Sequence, residues 1–361
     1  MRLAAQKLRF SPTVFCAKTC KRPYATVGST TFVGKPPIPP PINKADIPAP
    51  PLSSATDLNR LILSSLSDKN TPLPSLVEQY EQRSGSVLSN LSLPYESRPS
   101  SSRRADFEQH GSDLDNNVVM IAHAIQHGID HKVAVCSGFA IRATHNDPEA
   151  SPETMILTCA HTLEEVRPMR HSPMMSAASK NAGKDSKSGS FVISGTPKAP
   201  SFHAISSVQS ALHRADVLLL SPADSSLMIR TLPISPYPAH PGTPIRAHFV
   251  TDKKPNEEGW RPWVGGTWSK WVKGTVVGYR DFAGREAKPG TYDALSHMLF
   301  KPLPTPGSSG GPIIDEESGA VVGMVVGTRM DSSIEGMRGW AVPAETIFEM
   351  FSLPGLRLKG Q

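Results

Sequence analysis

Cysteine is scarce in this chain of 361 residues, which has four. Cys16 and Cys20 fall near the start, leaving Cys136 and Cys159 for everything downstream. A scaffold stapled by disulfides is thereby excluded. The downstream pair reads as buried thiols, in a compartment where structural disulfides are not required. Long apolar runs are missing too. None reaches the roughly 18 residues that a membrane-crossing helix needs, so the sequence predicts a soluble chain. Acidic residues are absent from positions 1–24, where Arg2, Lys7, Arg9, Lys18, Lys21 and Arg22 supply positive charge. Removing those six from the 38 basic residues leaves 32, equal to the 32 acidic ones. The net charge of +6 therefore belongs to the start. Without a net positive charge, the rest of the chain offers no electrostatic footprint for nucleic acid.

A basic, acid-free start with short, interrupted apolar segments reads as a mitochondrial transit peptide over 1–24, not as a secretory signal. Arg22-Pro23-Tyr24-Ala25 resembles a processing-peptidase site, with cleavage expected after Tyr24. The expected location is mitochondrial, in the matrix or the intermembrane space. Prolines at 36, 37, 39, 40, 41, 48, 50 and 51 make a stiff, extended spacer. Leu58, Leu61, Ile62 and Leu66 fall near helical spacing, and 97–104 is polar. Residues 25–112 are assigned as a Pro/Ser-rich linker, mostly disordered, with no function attached.

From residue 113 the pattern becomes one of short apolar strands between turn residues. Strands are predicted at 118–124, 133–142 and 154–159, a single helical turn at 162–166, and further strands at 203–212 and 216–220. A second set follows at 245–250, 271–279, 292–301, 313–314, 320–328 and 339–342, with a closing helix at 345–351. Residues 171–190 read as a polar surface insertion. His123, His127 and His131 are four apart and would form a metal stripe on a helix. Gly128 and the β-branched residues around it argue for strand and loop, so no metal site is assigned. Strands at this spacing predict an all-β barrel assembly for 113–355.

Chemistry concentrates at Pro306-Gly307-Ser308-Ser309-Gly310-Gly311-Pro312. A glycine-dense turn lets backbone approach closely and holds a serine at its tip, beside free N–H groups. Acyl transfer needs that combination of nucleophile and oxyanion donors. Upstream, Ile156-Leu157-Thr158-Cys159-Ala160-His161 is an apolar run ending in a histidine, and Asp216 leads another, Val217-Leu218-Leu219-Leu220.

The order His161, Asp216, Ser309 resembles the trypsin-like serine endopeptidases, and among them the HtrA-like branch. Ser137-Gly138-Phe139 before the histidine strand and Gly339-Trp340-Ala341-Val342-Pro343 after the serine carry the same likeness. The resemblance spans about residues 115–350 and implies a double six-stranded β-barrel with a short C-terminal helix, behind a disordered N-terminal leader. It implies Ser309 as nucleophile, His161 as base, Asp216 as its orienter, and Gly307 and Ser309 as oxyanion-hole donors. It places Leu303 at the base of the specificity pocket and Val325, Val326, Thr328, Gly339 and Trp340 on its walls. None of these is acidic, so cleavage is expected after Val, Leu, Ala or Met. No cofactor is implied, and the partners are protein or peptide substrates. Cys136 sits where such enzymes often have a half-cystine, but the usual partner position, after the histidine, holds Thr162. Ser308 stands where trypsin-like zymogens have an aspartate that captures a new N-terminus, which leaves open how the oxyanion hole is held. With so short a stretch after Pro343, the PDZ module usual in HtrA-like proteins is not expected. Two rivals remain: a catalytically silent peptide-binding protein of the same fold, and an esterase. The second would favour a Gly-x-Ser-x-Gly elbow with alternating strands and helices, both lacking here.

Overall fold

The computed structural model describes residues 57–105, 107, 117–147, 149–167, 186–224, 227, 229–332 and 334–353. The assigned transit peptide and proline-rich spacer lie outside the described residues. The remainder of the presumed linker does not behave as one. Residues 57–105 form helix α1 (Asp57–Ser64), helix α2 (Leu73–Gln82), strand β1 (Leu88–Ser92) and a 3-10 turn, Ser101–Arg103. Prolines open α2, where a missing N–H costs nothing. Leu73, Leu76, Val77 and Tyr80 then fall on one face and are buried. That face packs with Ile121, Ile125 and Val208, while Leu58, Ile62 and Leu66 pack with Met120, Phe191 and Val264. The end of the segment is pinned by Arg103, which pairs with Glu96 at 2.7 Å and donates to the Thr231 hydroxyl. The expectation of a linker to residue 112 is therefore corrected for 57–105, because its apolar face is satisfied only against the barrel.

The first barrel is built from β2 (Val118–His127), β3 (Asp130–His145), β4 (Glu153–Cys159), β5 (Ser186–Gly195), β6 (Pro200–Leu212) and β7 (Val217–Pro222). Their order is β3-β2-β5-β6-β7-β4, and β4 pairs back on β3 to close the ring. The second barrel contains β8 (Pro244–Thr251), with the two-residue β9 (Arg261–Pro262) beside it, and β10 (Trp268–Arg280), to which β11 (Glu286–Ala287) pairs. It continues with β12 (His297–Lys301), β13 (Pro312–Asp315), β14 (Val321–Ser332) and β15 (Gly336–Pro343). Here the order is β10-β12-β15-β14-β13-β8, closed by β8 on β10. Closure leaves each ring without a free edge. The double six-stranded barrel expected from the resemblance is the fold observed.

Each barrel has its own apolar filling, and a third cluster lies between them, joining Phe139, Leu157 and Leu219 to Met324, Val342 and Ile347. Three boundaries differ from expectation. Residues 186–190 belong to β5, while the rest of the supposed insertion lies outside the described residues. The strand expected at 292–301 begins only at His297, and Tyr292 is fully exposed. Helix α3 runs His161–Val166, and the closing helix expected at 345–351, α4, covers only Ala344–Phe348. After α4 the chain extends as β16 (Phe351–Ser352), which pairs in parallel with β1. His123 is on a strand, fully buried, with Nδ1 2.7 Å from Ser190 Oγ. Burial lowers its pKa to about 4, so it is a neutral core residue. Among the described residues no group of three metal-ligating side chains comes together.

Candidate active site

Strand β4 ends at Cys159, and α3 begins two residues later, so His161 is the first residue of a helix at the barrel rim. Asp216 follows the 3-10 turn His213–Ala215 at φ 59°, the one positive φ outside glycine among the described residues. Aspartate tolerates this left-handed region better than most residues. The consequence is that its carboxylate turns back under α3. Oδ1 accepts from the N–H groups of Ala160 at 2.9 Å and His161 at 2.7 Å. Oδ2 lies 2.6 Å from His161 Nδ1. That bond raises the His161 pKa above its ordinary value, against an opposing effect of burial. It also fixes the tautomer, because a proton on Nδ1 leaves Nε2 as the basic nitrogen.

A side-chain relay braces both members of this pair from outside. Tyr80 of α2 donates to Glu164 Oε1 on α3 at 2.6 Å and lies 2.6 Å from His213 Nδ1, just before Asp216. Burial raises the Tyr80 pKa, so the hydroxyl stays protonated.

The serine turn is seated between the barrels by its glycines. A Cβ on Gly310, whose φ is 82°, would lie 2.0 Å from the Ser137 carbonyl and 3.1 Å from Cys159 N. A Cβ on Gly311 would lie 2.9 Å from the His248 carbonyl. Only glycine permits so close an approach. Backbone bonds then lock the turn: Gly310 N–H to Val325 O at 2.7 Å, Val325 N–H to Gly311 O at 2.8 Å, and Ser137 N–H to Ser309 O at 2.8 Å. Ser137 Oγ adds a bond to Gly307 O. Among the described residues the N–H groups of Gly307 and Ser309 have no acceptor, whereas that of Ser308 donates to Thr305 O.

Ser308 is fully buried, and its side chain is held by uncharged groups. Its Oγ accepts from Val250 N–H at 2.9 Å and contacts Thr305 Oγ1 at 2.9 Å. Thr305 Oγ1 in turn donates to Val250 O at 2.6 Å. The two hydroxyls thus close a ring of bonds with one backbone residue of β8, and no ion pair is involved.

Ser309 and His161 are not yet joined. Ser309 Oγ donates to the Val326 carbonyl at 2.8 Å, and no hydrogen bond links it to the His161 ring. His161 Nε2 instead lies 3.7 Å from Cys159 Sγ. Cys136 and Cys159 are both buried and unlinked, as the sequence predicts. Burial pushes the Cys159 thiol well above its ordinary pKa, so a neutral S–H faces the imidazole.

The residues expected around the specificity pocket divide. Val325 is fully buried in the filling of the second barrel, so its side chain cannot be a pocket wall. Leu303 is 47% exposed and closes no pocket base. Gly339 is buried against Phe300, where a Cβ would meet the ring at 2.6 Å. Thr328 is exposed. Val326 lines a cleft of about 500 Å³ beside Asp216, together with Trp340 and others. Sequence reasoning missed Tyr80 and Thr305. Tyr80 continues the periodicity of Leu73, Leu76 and Val77, a signal available before the fold was known. Thr305 gave none, because its partners include the backbone of Val250.

The chain belongs to the trypsin-like peptidases: the family's domain model matches residues 136–324, more than half of its length. The fold is that of a serine protease, a hydrolase with protein substrates. Among solved structures, the apo MamO protease domain of Magnetospirillum magneticum is similar at 15% identity. The alignment covers 65% of this chain and 95% of that one, with a TM-score of 0.37. The active form of the Rv3671c protease of M. tuberculosis aligns at 20% identity, over 64% and 77% of the two chains, at 0.37. Deg5 aligns at 13% identity, over 65% and 87%, at 0.39. The search of curated proteins returned no match.

Proposed function

We propose that the protein is a serine endopeptidase in which His161, Asp216 and Ser309 form the catalytic triad. Ser309 Oγ attacks the peptide carbonyl while His161 Nε2 takes its proton, and the imidazolium formed is stabilised by Asp216. His161 returns the proton to the leaving amine, and water then releases the acyl group from Ser309 by the same route. The developing oxyanion is received by the Gly307 and Ser309 N–H groups, each typically worth about 3–4 kcal/mol in the transition state. The observation that carries this reading is the three-bond seat of Asp216 beneath His161. To engage, Ser309 must turn its hydroxyl from Val326 O toward Nε2. That exchanges one neutral hydrogen bond for another, a matter of about 1 kcal/mol.

Substrate preference in this reading is for small or medium apolar residues before the cut bond. The residues that the resemblance places around that pocket include no acid, and burying an unpaired cation costs several kcal/mol. The basic start further supports a mitochondrial site of action, in the matrix or the intermembrane space. A second reading has one observation in its favour: the Ser309–Val326 bond is what a silent peptide-binding relative would also show. Labelling the purified chain with a fluorophosphonate probe separates the two. A labelled wild type with an unlabelled Ser309→Ala variant is expected, and a wild type that takes no label refutes the peptidase reading.

A further inference from the structure

The cleft beside Asp216 has a composition that the triad does not use. Its floor is aromatic: His297 stacks 4.4 Å from Trp340, and the Phe282 ring meets His297 edge-on at 5.7 Å. Its rim carries two guanidinium groups. Arg329 lies over the Trp340 ring at 4.5 Å and is exposed. Arg214 is exposed and, among the described residues, has no ion-pair or hydrogen-bond partner. The acids closest in sequence to these walls are engaged. Asp216 is bonded to His161, and Asp331 is 5% exposed and paired with Arg280 at 2.8 Å. His297 adds no charge, since burial and Arg329 lower its pKa to about 4. Its Nδ1 is nevertheless buried without a hydrogen-bond partner among the described residues.

Position ties the cleft to the reacting atoms. Val326 lines it, and the carbonyl of that residue is 2.8 Å from Ser309 Oγ. A peptide seated at Ser309 therefore passes beside this cleft, within reach of a neighbouring side chain. Aromatic walls suit an apolar stem, and two guanidiniums without an ion-pair partner among the described residues suit a carboxylate at its tip. A lysine or arginine in the same place would meet like charge, and the one acid of the lining, Asp216, is already bonded to His161.

We propose that this cleft is a subsite for an acidic side chain of the substrate, a glutamate or aspartate a few residues from the bond to be cut, held by Arg214 and Arg329. The proposal rests on the peptidase reading above and adds a charge preference to it. Calorimetry on the full-length Ser309→Ala chain, which cannot turn peptides over, tests it directly. The ligands are hexapeptides that differ at one position only, carrying Glu, Gln or Lys, scanned along the sequence. At one position Glu should bind about tenfold more tightly than Gln, the scale of one charge-assisted hydrogen bond, and Lys more weakly than either. Arg329→Glu and Arg214→Glu, both at exposed positions that leave the fold intact, should each reverse the order of Glu and Lys. Equal binding of Glu and Gln peptides at every position overturns the proposal, as does an order unchanged by both reversals. A wild type that cleaves nothing, beside a variant that still prefers Glu, removes the peptidase reading and leaves the subsite standing. Cleavage by the wild type with no response to acid anywhere removes the subsite and leaves the peptidase.

Discussion

Replacing Ser308 by alanine should cost both stability and turnover, because a buried backbone residue depends on it. Val250 has its N–H on Ser308 Oγ and its carbonyl on Thr305 Oγ1, so both its polar groups face the serine turn. Val250 itself is 4% exposed, and water cannot replace the lost acceptor. Leaving that N–H unsatisfied costs about 1–3 kcal/mol, and losing the Ser308–Thr305 bond about 0.5–1.5 more. The sum, about 1.5–4.5 kcal/mol, is a large share of a typical domain stability of about 5–15 kcal/mol. Urea unfolding followed by tryptophan fluorescence should show a midpoint lower by about 1 M, for a slope of about 2–3 kcal/mol per molar. If the turn then loosens around Gly307, kcat should fall toward the 10²–10³-fold typical of a lost oxyanion donor, at nearly constant KM.

Ser308→Asp sharpens the test, since the partners of the hydroxyl are an amide and a threonine, neither charged. A carboxyl forced into that site has its folded pKa raised above the unfolded value. It is then protonated in the folded state over a range where the unfolded chain has released its proton. Stability must fall as pH rises from about 4 toward 8. An alanine variant with unchanged midpoint and kcat, or an aspartate variant that grows more stable with pH, would refute the bonding scheme.

Three further outcomes are expected. The acid limb of kcat/KM should lie above the ordinary histidine pKa, because the Asp216 bond raises that of His161, so activity is lost as pH falls through it. Asp216→Asn should move that limb downward and lower kcat by about 10⁴-fold, as a wrong tautomer does; a limb that stays put would remove Asp216 from the role. Tyr80→Phe should lower kcat without changing the fold, and Tyr80→Ala, which also empties a buried site, should cost about 3–5 kcal/mol of stability. Full kcat in Tyr80→Phe, measured alongside circular dichroism, would show that the relay to Glu164 and His213 is idle. A fluorescent protein carrying residues 1–60 should enter mitochondria and be trimmed to start at or just after Ala25; diffuse fluorescence with Met1 retained would refute the transit reading.

The barrels were legible because their strands carry apolar runs bounded by turn residues, and the serine turn because glycine at 310 and 311 is demanded by backbone contact. What escaped did so for identifiable reasons. The helices at 57–82 bury one face each, but that face has value only against β2, β5 and β6, and the prolines that open α2 also look like a linker. Strand β5 contributes just Phe191, Val192 and Ile193 as a fully buried apolar run, too short to stand out after a polar stretch. Val325 and Val326 are neighbours, and with a side-chain period of two only one of them can face a cleft. Counting from Ser309 could not say which one. Ser308 was read as a departure from a charged pattern, and its actual partner is backbone, which leaves no mark in a sequence.

Strand β14 explains why the resting hydroxyl lies where it does. Val325 pairs with Ala341 and Gly327 with Trp340, so the register shifts and Val326 is the extra residue of a bulge. A bulged residue drops out of the ladder, and its carbonyl is left to find a donor elsewhere. Val325, one residue earlier, fastens Gly310 and Gly311 through both of its backbone groups, which brings Ser309 within reach of that carbonyl. Val326 also lines the cleft whose rim holds Arg329, three residues further on. Nucleophile seat, resting acceptor and charged rim therefore lie within five consecutive positions of one strand. A substrate chain that offers its own N–H to the Val326 carbonyl would displace the Ser309 hydroxyl from it. The hydroxyl would then be free to turn toward His161, so the seating of a substrate backbone and the engagement of the serine would draw on one carbonyl.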